Sequence, residues 1–203
     1  MRRLFLLVLL ALALPMAAFA SSSVDFTNSK GTLSGTTAGL SLSGSTLIAV
    51  DGFDGLGLVT GKLGTLTFST GALTSGSLAM GGTFAAGGSF MITGNGTGGL
   101  PNGVIFTGSF SGPVTWVLVT LANGTHNYTL IGSLTGTWVS TGATVNGATT
   151  QLTINTGKGF FNGSTKISSG DTNISSVPEP GSLTLLGTGL VGLAGVLRRK
   201  LKA

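Results

Sequence analysis

The side chains that could do chemistry are few. The chain of 203 residues carries five acidic side chains, one histidine and no cysteine. Nucleophilic catalysis needs a serine or threonine activated by a neighbouring base. His126 is the lone imidazole, and it stands in the segment Ala122-Asn-Gly-Thr-His-Asn127, where it reads as a polar, exposed turn residue. Acid–base chemistry of the glycosidase kind needs two carboxyls at a set separation. Asp51 and Asp54 are close in Asp51-Gly-Phe-Asp54-Gly, and the other aspartates are Asp25 and Asp171. One such pair falls short of the ligand number calcium takes, so turn chemistry is the expected role of Asp51 and Asp54. Without cysteine or a cluster of histidine and glutamate, no usual metal site is expected. The glycine runs lack a following Gly-Lys-Ser/Thr, so no phosphate loop is expected either. The residues point away from an enzyme, and no cofactor is expected.

Aromatic side chains offer a second kind of site. Trp116, Tyr128 and Trp138 would form a stacking platform for sugars if they surfaced on neighbouring strands. The competing reading, which we favour, places them in the core, where aromatics bury large areas. Asn95, Asn123, Asn127, Asn162 and Asn173 head Asn-x-Ser/Thr sequons. Asn-Gly turns account for several of these without glycosylation.

The elements that must position these residues are strands. The chain holds 36 glycines, and glycine with β-branched threonine and valine disfavours helix. Lys62–Thr70 alternates, with Leu66 and Phe68 on one face and threonines on the other. Gly81–Thr93 repeats that manner around Phe84 and Phe90, and Leu40 with Leu42 marks an earlier strand. Gly94–Gly103 reads as a loop. Thr115–Leu121 is apolar on both faces, which predicts a central strand covered on both sides. Asn123-Gly124 turns the chain into a long strand, Tyr128–Val139. Gly108-Ser-Phe-Ser-Gly112 and Gly132-Ser-Leu-Thr-Gly136 echo one another, too briefly for a solenoid. Residues 151–156 and 159–161 suggest closing strands. The expectation is an all-β domain over residues 21–167, an antiparallel sandwich or barrel of about eight to twelve short Gly/Thr-rich strands, then a Ser-rich linker at 168–176. A parallel β-solenoid is the alternative.

Charge separates this domain from its ends. The formal net charge is +5. Arg2, Arg3, Arg198, Arg199, Lys200 and Lys202 lie at the termini with Glu179, so Lys30, Lys62, Lys158 and Lys166 balance the four aspartates of the body. A neutral body has no basic patch for nucleic acid, and none is expected as a partner.

Residues 1–20 have the layout of a secretory signal peptide: Arg2-Arg3, an apolar run from Leu4 to Leu14, Pro15, then Ala18-Phe19-Ala20 as the small-x-small site for signal peptidase. The mature chain is expected to begin at Ser21. At the other end, Pro178-Glu179-Pro180 leads into an apolar run, with no charge from Pro180 to Leu197. As a helix rising about 1.5 Å per residue, that run nearly spans the ~30 Å hydrocarbon core. A transmembrane helix is expected at 181–197, oriented by Arg198, Arg199 and Lys200 with its C-terminus inside.

The motif Pro178-Glu179-Pro180, the glycine-bearing apolar segment and Arg198-Arg199-Lys200 together resemble a PEP-CTERM sorting signal, over residues 177–203 alone. The resemblance implies an exported protein of a Gram-negative bacterium, held transiently in the inner membrane. An integral-membrane exosortase would cleave the tail and sort the protein to the cell surface, the extracellular matrix or exopolysaccharide. It says nothing of the body. The expected function is therefore a non-enzymatic surface or matrix protein. Alternatives are an extracellular polysaccharide-binding module and a tethered hydrolase of unknown type.

Overall fold

A computed structural model describes residues 22–176. They form thirteen strands: β1 (Ser22–Ser29), β2 (Thr32–Thr36), β3 (Gly39–Asp51), β4 (Val59–Ser69), β5 (Leu73–Ser77), β6 (Gly81–Phe84), β7 (Gly87–Asn95), β8 (Asn102–Phe110), β9 (Val114–Thr120), β10 (His126–Trp138), β11 (Thr144–Asn155), β12 (Ser164–Lys166) and β13 (Ser169–Ser176). A single 3-10 turn, Phe53–Gly55, follows β3.

Hydrogen bonding runs β10, β11, β13, β1, β3, β4, β7, β8 and back to β10, closing an antiparallel barrel of eight strands. Two strands are long because each serves two neighbours along one edge. β10 pairs β9 through His126–Ile131 and β8 through Leu134–Trp138, while β11 follows its other edge. β3 pairs β2 through Gly39–Ser43 and β1 through Thr46–Asp51. The side branches are β9, β6 and β5 from β10, and β2 and β12 from β3.

Alternation puts the apolar set inside. Tyr128, Leu130 and Leu134 of β10 are buried, with Ile131 exposed between them. In β3 the inward residues are Leu40 and Leu42, then Ser45 and Leu47, then Val50. Its register against β4 shifts between Leu42 and Ser45 and again between Leu47 and Ala49. Each bulge admits an unpaired residue and turns the following side chains to the other face. The buried residues are mostly Phe, Leu, Ile and Val, and the outward rows are mostly Ser, Thr and Asn. A barrel that faces lipid has the reverse arrangement.

An eight-stranded barrel is just wide enough for side chains to fill. Here the filling is aromatic. Phe53, Phe26, Trp138, Phe106, Phe90, Phe110 and Phe68 form one continuous line, with successive ring centroids 5.7–6.5 Å apart. Facing glycines make room for them. A Cβ at Gly132 would lie 2.5 Å from two carbons of the Phe110 ring, and one at Gly136 would lie 2.5 Å from Cζ of Phe106. The echoed segments lie side by side in the barrel, Gly108 opposite Gly136 and Phe110 opposite Leu134.

Several expectations need correction. The expected all-β antiparallel architecture is present, as the barrel of its two forms, but the described residues hold thirteen strands rather than eight to twelve, and β3 and β10 are long at 13 residues each. Residues 168–176 are not a linker: β13 occupies 169–176 and lies between β11 and β1. A Ser-rich run suits a barrel strand here because Ser169, Asn173 and Ser175 lie on its outward side, where polar side chains meet water at little cost. Segment 81–93 is two strands, since β6 pairs β5 and β9 while β7 pairs β4 and β8. Residues 159–161 form no strand. β9 is not covered on both sides: Val117 and Val119 are 44% and 48% exposed, because the sheet branch it forms with β10 and β6 packs only its Val114 and Trp116 side against the core. Residues 94–103 span the β7–β8 hairpin turn, and Asn123-Gly124 turns β9 into β10 with Gly124 at φ 77°. The expected signal peptide and transmembrane helix lie outside the described residues. Among the described residues no helix is long and apolar enough to cross a membrane.

Gly132→Ala should therefore lower stability by about 1–3 kcal/mol through overpacking. Gly112→Ala, where an added Cβ meets nothing within 4 Å, should change it by less than about 0.5 kcal/mol. Paired urea denaturation curves check both.

Candidate functional site

Two of the three aromatic candidates are core residues, and Trp138 is half-buried against the core. Trp116 and Tyr128 are 1% and 0% exposed, and their rings stack at 4.9 Å with Phe161 edge-on to Trp116 at 5.4 Å. Their polar atoms bind backbone. Trp116 Nε1 donates to Leu78 O (2.9 Å), and Tyr128 Oη donates to Ala79 O (2.6 Å) and accepts from Phe161 N (3.0 Å). The pair thus ties the β5–β6 connection and the chain after β11 to the barrel. Trp138 stands at the other end of β10, packed on Phe26, Phe53 and Phe106 at 6.1, 6.0 and 5.7 Å. The favoured core reading describes Trp116 and Tyr128, and no surface platform of the three rings forms, because alternation turns these even-numbered residues of β9 and β10 inward.

His126 is not an exposed turn residue. It is the first residue of β10, buried, stacked on Phe160 at 4.4 Å, with Nδ1 3.1 Å from Thr120 Oγ1. Asp54 does serve turn chemistry, sitting at φ 48°, ψ 35° after Gly52 at φ 79°. Asn123 Oδ1 accepts from Thr125 N (3.0 Å) and Oγ1 (2.7 Å), which stabilises its hairpin turn.

What the sequence reading missed is a seam of carboxyls. Asp51 of β3 is the register partner of Asp25 of β1, and Asp171 of β13 lies against Asp25 on the other side. Three neighbouring strands therefore present three aspartates side by side. Asp25 Oδ1 is buried and has no hydrogen-bond partner, and Thr27 Oγ1 reaches Asp171 Oδ1 at 3.5 Å. Burial raises the Asp25 pKa first, Asp171 next, by charge and by hydrogen bond, and Asp51 after that; the value moves from 3.8 to about 6.

Beside the seam is an open cleft of about 320 Å³, lined by Thr27, Gln151, Thr153, Ser169, Gly170 and Asp171. Ligand pockets are mostly apolar with a few polar groups, whereas every lining side chain here, Gly170 aside, carries a hydroxyl, amide or carboxyl. Among the described residues no group of three His, Cys, Asp or Glu side chains is placed to hold a metal ion. The arrangement stores repulsion across the strands that close the barrel. Inside, the seam is polar as well. Asn28 Nδ2 donates to Ser45 Oγ (2.7 Å), and the hydroxyls of Thr150 and Thr172 are 2.9 Å apart. Asn28 points inward by the same alternation as Val24 and Phe26, and the register shift beside it leaves Ile48 of β3 unpaired.

Two outcomes follow. The folded pKa of Asp25 lies above its unfolded value, so its stabilising contribution is complete below about pH 4 and lost as pH rises through about 6. Chemical denaturation across pH 4–8 should show that decline, and Asp25→Asn should flatten it. Tyr128→Phe strands a buried N–H and a carbonyl and should cost about 1–3 kcal/mol, measured by the same denaturation.

No curated protein and no solved structure matches this chain. The PEP-CTERM protein-sorting motif family matches residues 176–200, so the tail that begins as β13 ends carries a PEP-CTERM sorting motif while the barrel has no recognised family.

Proposed function

We propose that this chain is an exported, non-enzymatic β-barrel of the cell surface or extracellular matrix, delivered by its tail. The observation that carries the reading is the sorting motif at 176–200, directly behind a domain that ends at Ser176. Such a motif supports exosortase-dependent sorting of an exported protein, processed at the membrane. Pro178-Glu179-Pro180 is the recognition element, 181–197 the membrane segment, and Arg198, Arg199 and Lys200 hold the C-terminus on the cytoplasmic side. The layout of residues 1–20, with Ala18 and Ala20 before Ser21, supports export through signal peptidase. The neutral body and its Ser/Thr-rich exterior suit a hydrated matrix. Exopolysaccharide remains the expected environment, met through those outward hydroxyls rather than through Trp116, Tyr128 or Trp138.

The test is the mass of the mature protein, recovered from a host with its exosortase and from one without. The expected result is a chain beginning at Ser21 and ending near Pro178 only where the enzyme is present. An intact Ala203 in both hosts would make the tail a plain anchor and remove the matrix reading.

A further inference from the structure

We infer that β13 is a detachable strap, which leaves the barrel to give the sorting motif behind it the free chain that a membrane protease needs. The inference rests on the sorting reading above. Only Val177 separates Ser176, the last residue of β13, from Pro178. Cleavage sites lie in exposed, unpaired chain, and a paired strand ending one residue earlier supplies none. Releasing the eight residues of β13 would add roughly 26 Å of extended chain, at about 3.3 Å per residue.

β13 is built to come away. Its inward positions are Gly170, Thr172 and Ile174, so a single apolar side chain anchors it. By contrast, β10 inserts Tyr128, Leu130 and Leu134, and β3 inserts Leu40, Leu42, Leu47 and Val50. Burying an aliphatic side chain contributes about 1.5–3 kcal/mol, and β13 has that contribution once. Gly170 lies against the amide of Asn28, and Thr172 meets Thr150, so the rest of its inner face is polar. On the outside, Asp171 adjoins Asp25. The charges acting on Asp25 are Asp171 of β13 and Asp51 of β3, all acidic, and β11 places the uncharged Gln151 opposite Asp171. Ionisation of the seam therefore pushes β13 outward as pH rises. Upstream, Ile167 and Phe161 are buried and hold the chain, which places the hinge at Ser168.

The test locks the strap. Thr150 and Thr172 become a cysteine pair in a chain with no other cysteine, their hydroxyls already 2.9 Å apart; Thr149→Cys with Asn173→Cys is a second lock on paired positions. In a host with exosortase, the oxidised forms should show at least tenfold less tail cleavage than the single-cysteine chains, with reductant restoring it. Cleavage of both locked forms at the single-cysteine rate would overturn the strap. Hydrogen exchange on the purified full-length protein decides independently of the enzyme. Amides of Thr172 and Ile174 should have protection factors at least tenfold below those of β3 and β4, falling from pH 4 to 7, with the fall lost in Asp171→Asn. Protection equal to β3 and β4 would also overturn it. Wild-type chain uncut in both hosts would instead sink the sorting reading, leaving the exchange result to decide the strap.

Discussion

Phe110 over Gly132 and Phe106 over Gly136 set the terms for the barrel. An eight-stranded interior has a nearly fixed width, and a line of phenyl and indole rings fills it only where the facing strand gives up its side chains. The glycines of β10 are thus part of the packing. They cost backbone entropy, and the rings they admit return apolar burial of about 1.5–3 kcal/mol each. The same arrangement explains why two short echoed segments exist: they are antiparallel neighbours, each presenting a glycine to its partner strand.

The rings are unevenly distributed. They come from β1, β4, β7, β8 and β10 and from the turn after β3, with a second group of Trp116, Tyr128 and Phe161 under the β5–β6 connection. None comes from β13. Where β13 meets β1 and β11, the inner face holds Asn28, Thr150, Thr172 and Gly170 beside Phe26, Leu152 and Ile174, and three aspartates lie on or beside the outer face. The interior is aromatic around most of its circumference and more polar where the first and last strands meet. The same arc is where the chain passes into its sorting motif.

The parts legible in the sequence were those with a local physical cause. Alternation of Leu66 and Phe68 with threonines announced β4, Asn123-Gly124 announced its hairpin, and Pro178-Glu179-Pro180 with its apolar run and basic end announced the sorting tail. What misled was equally local. The Ser-rich run at 168–176 lacks the apolar alternation of a strand, because only Ile174 anchors it. Val117 and Val119 looked like a covered second face, although the branch that β9 forms with β10 and β6 packs only one side against the core. Asp25 and Asp171 drew no notice, although aspartate is unusual within strands, because 145 intervening residues separate them.

By itself, the sequence determined the all-β class, the neutral body between charged ends and the sorting motif, since each follows from composition or from spacing within a few residues. Only the tertiary structure decided that the sheet closes, that β13 completes it, that Trp116 and Tyr128 face inward, and that Asp25, Asp51 and Asp171 meet. Closure and register are properties of strand pairs distant in sequence, and a one-residue bulge such as the unpaired Ile48 of β3 exchanges inside for outside between Leu47 and Val50. No local pattern carries that information, because it arises when the first strand finds the last.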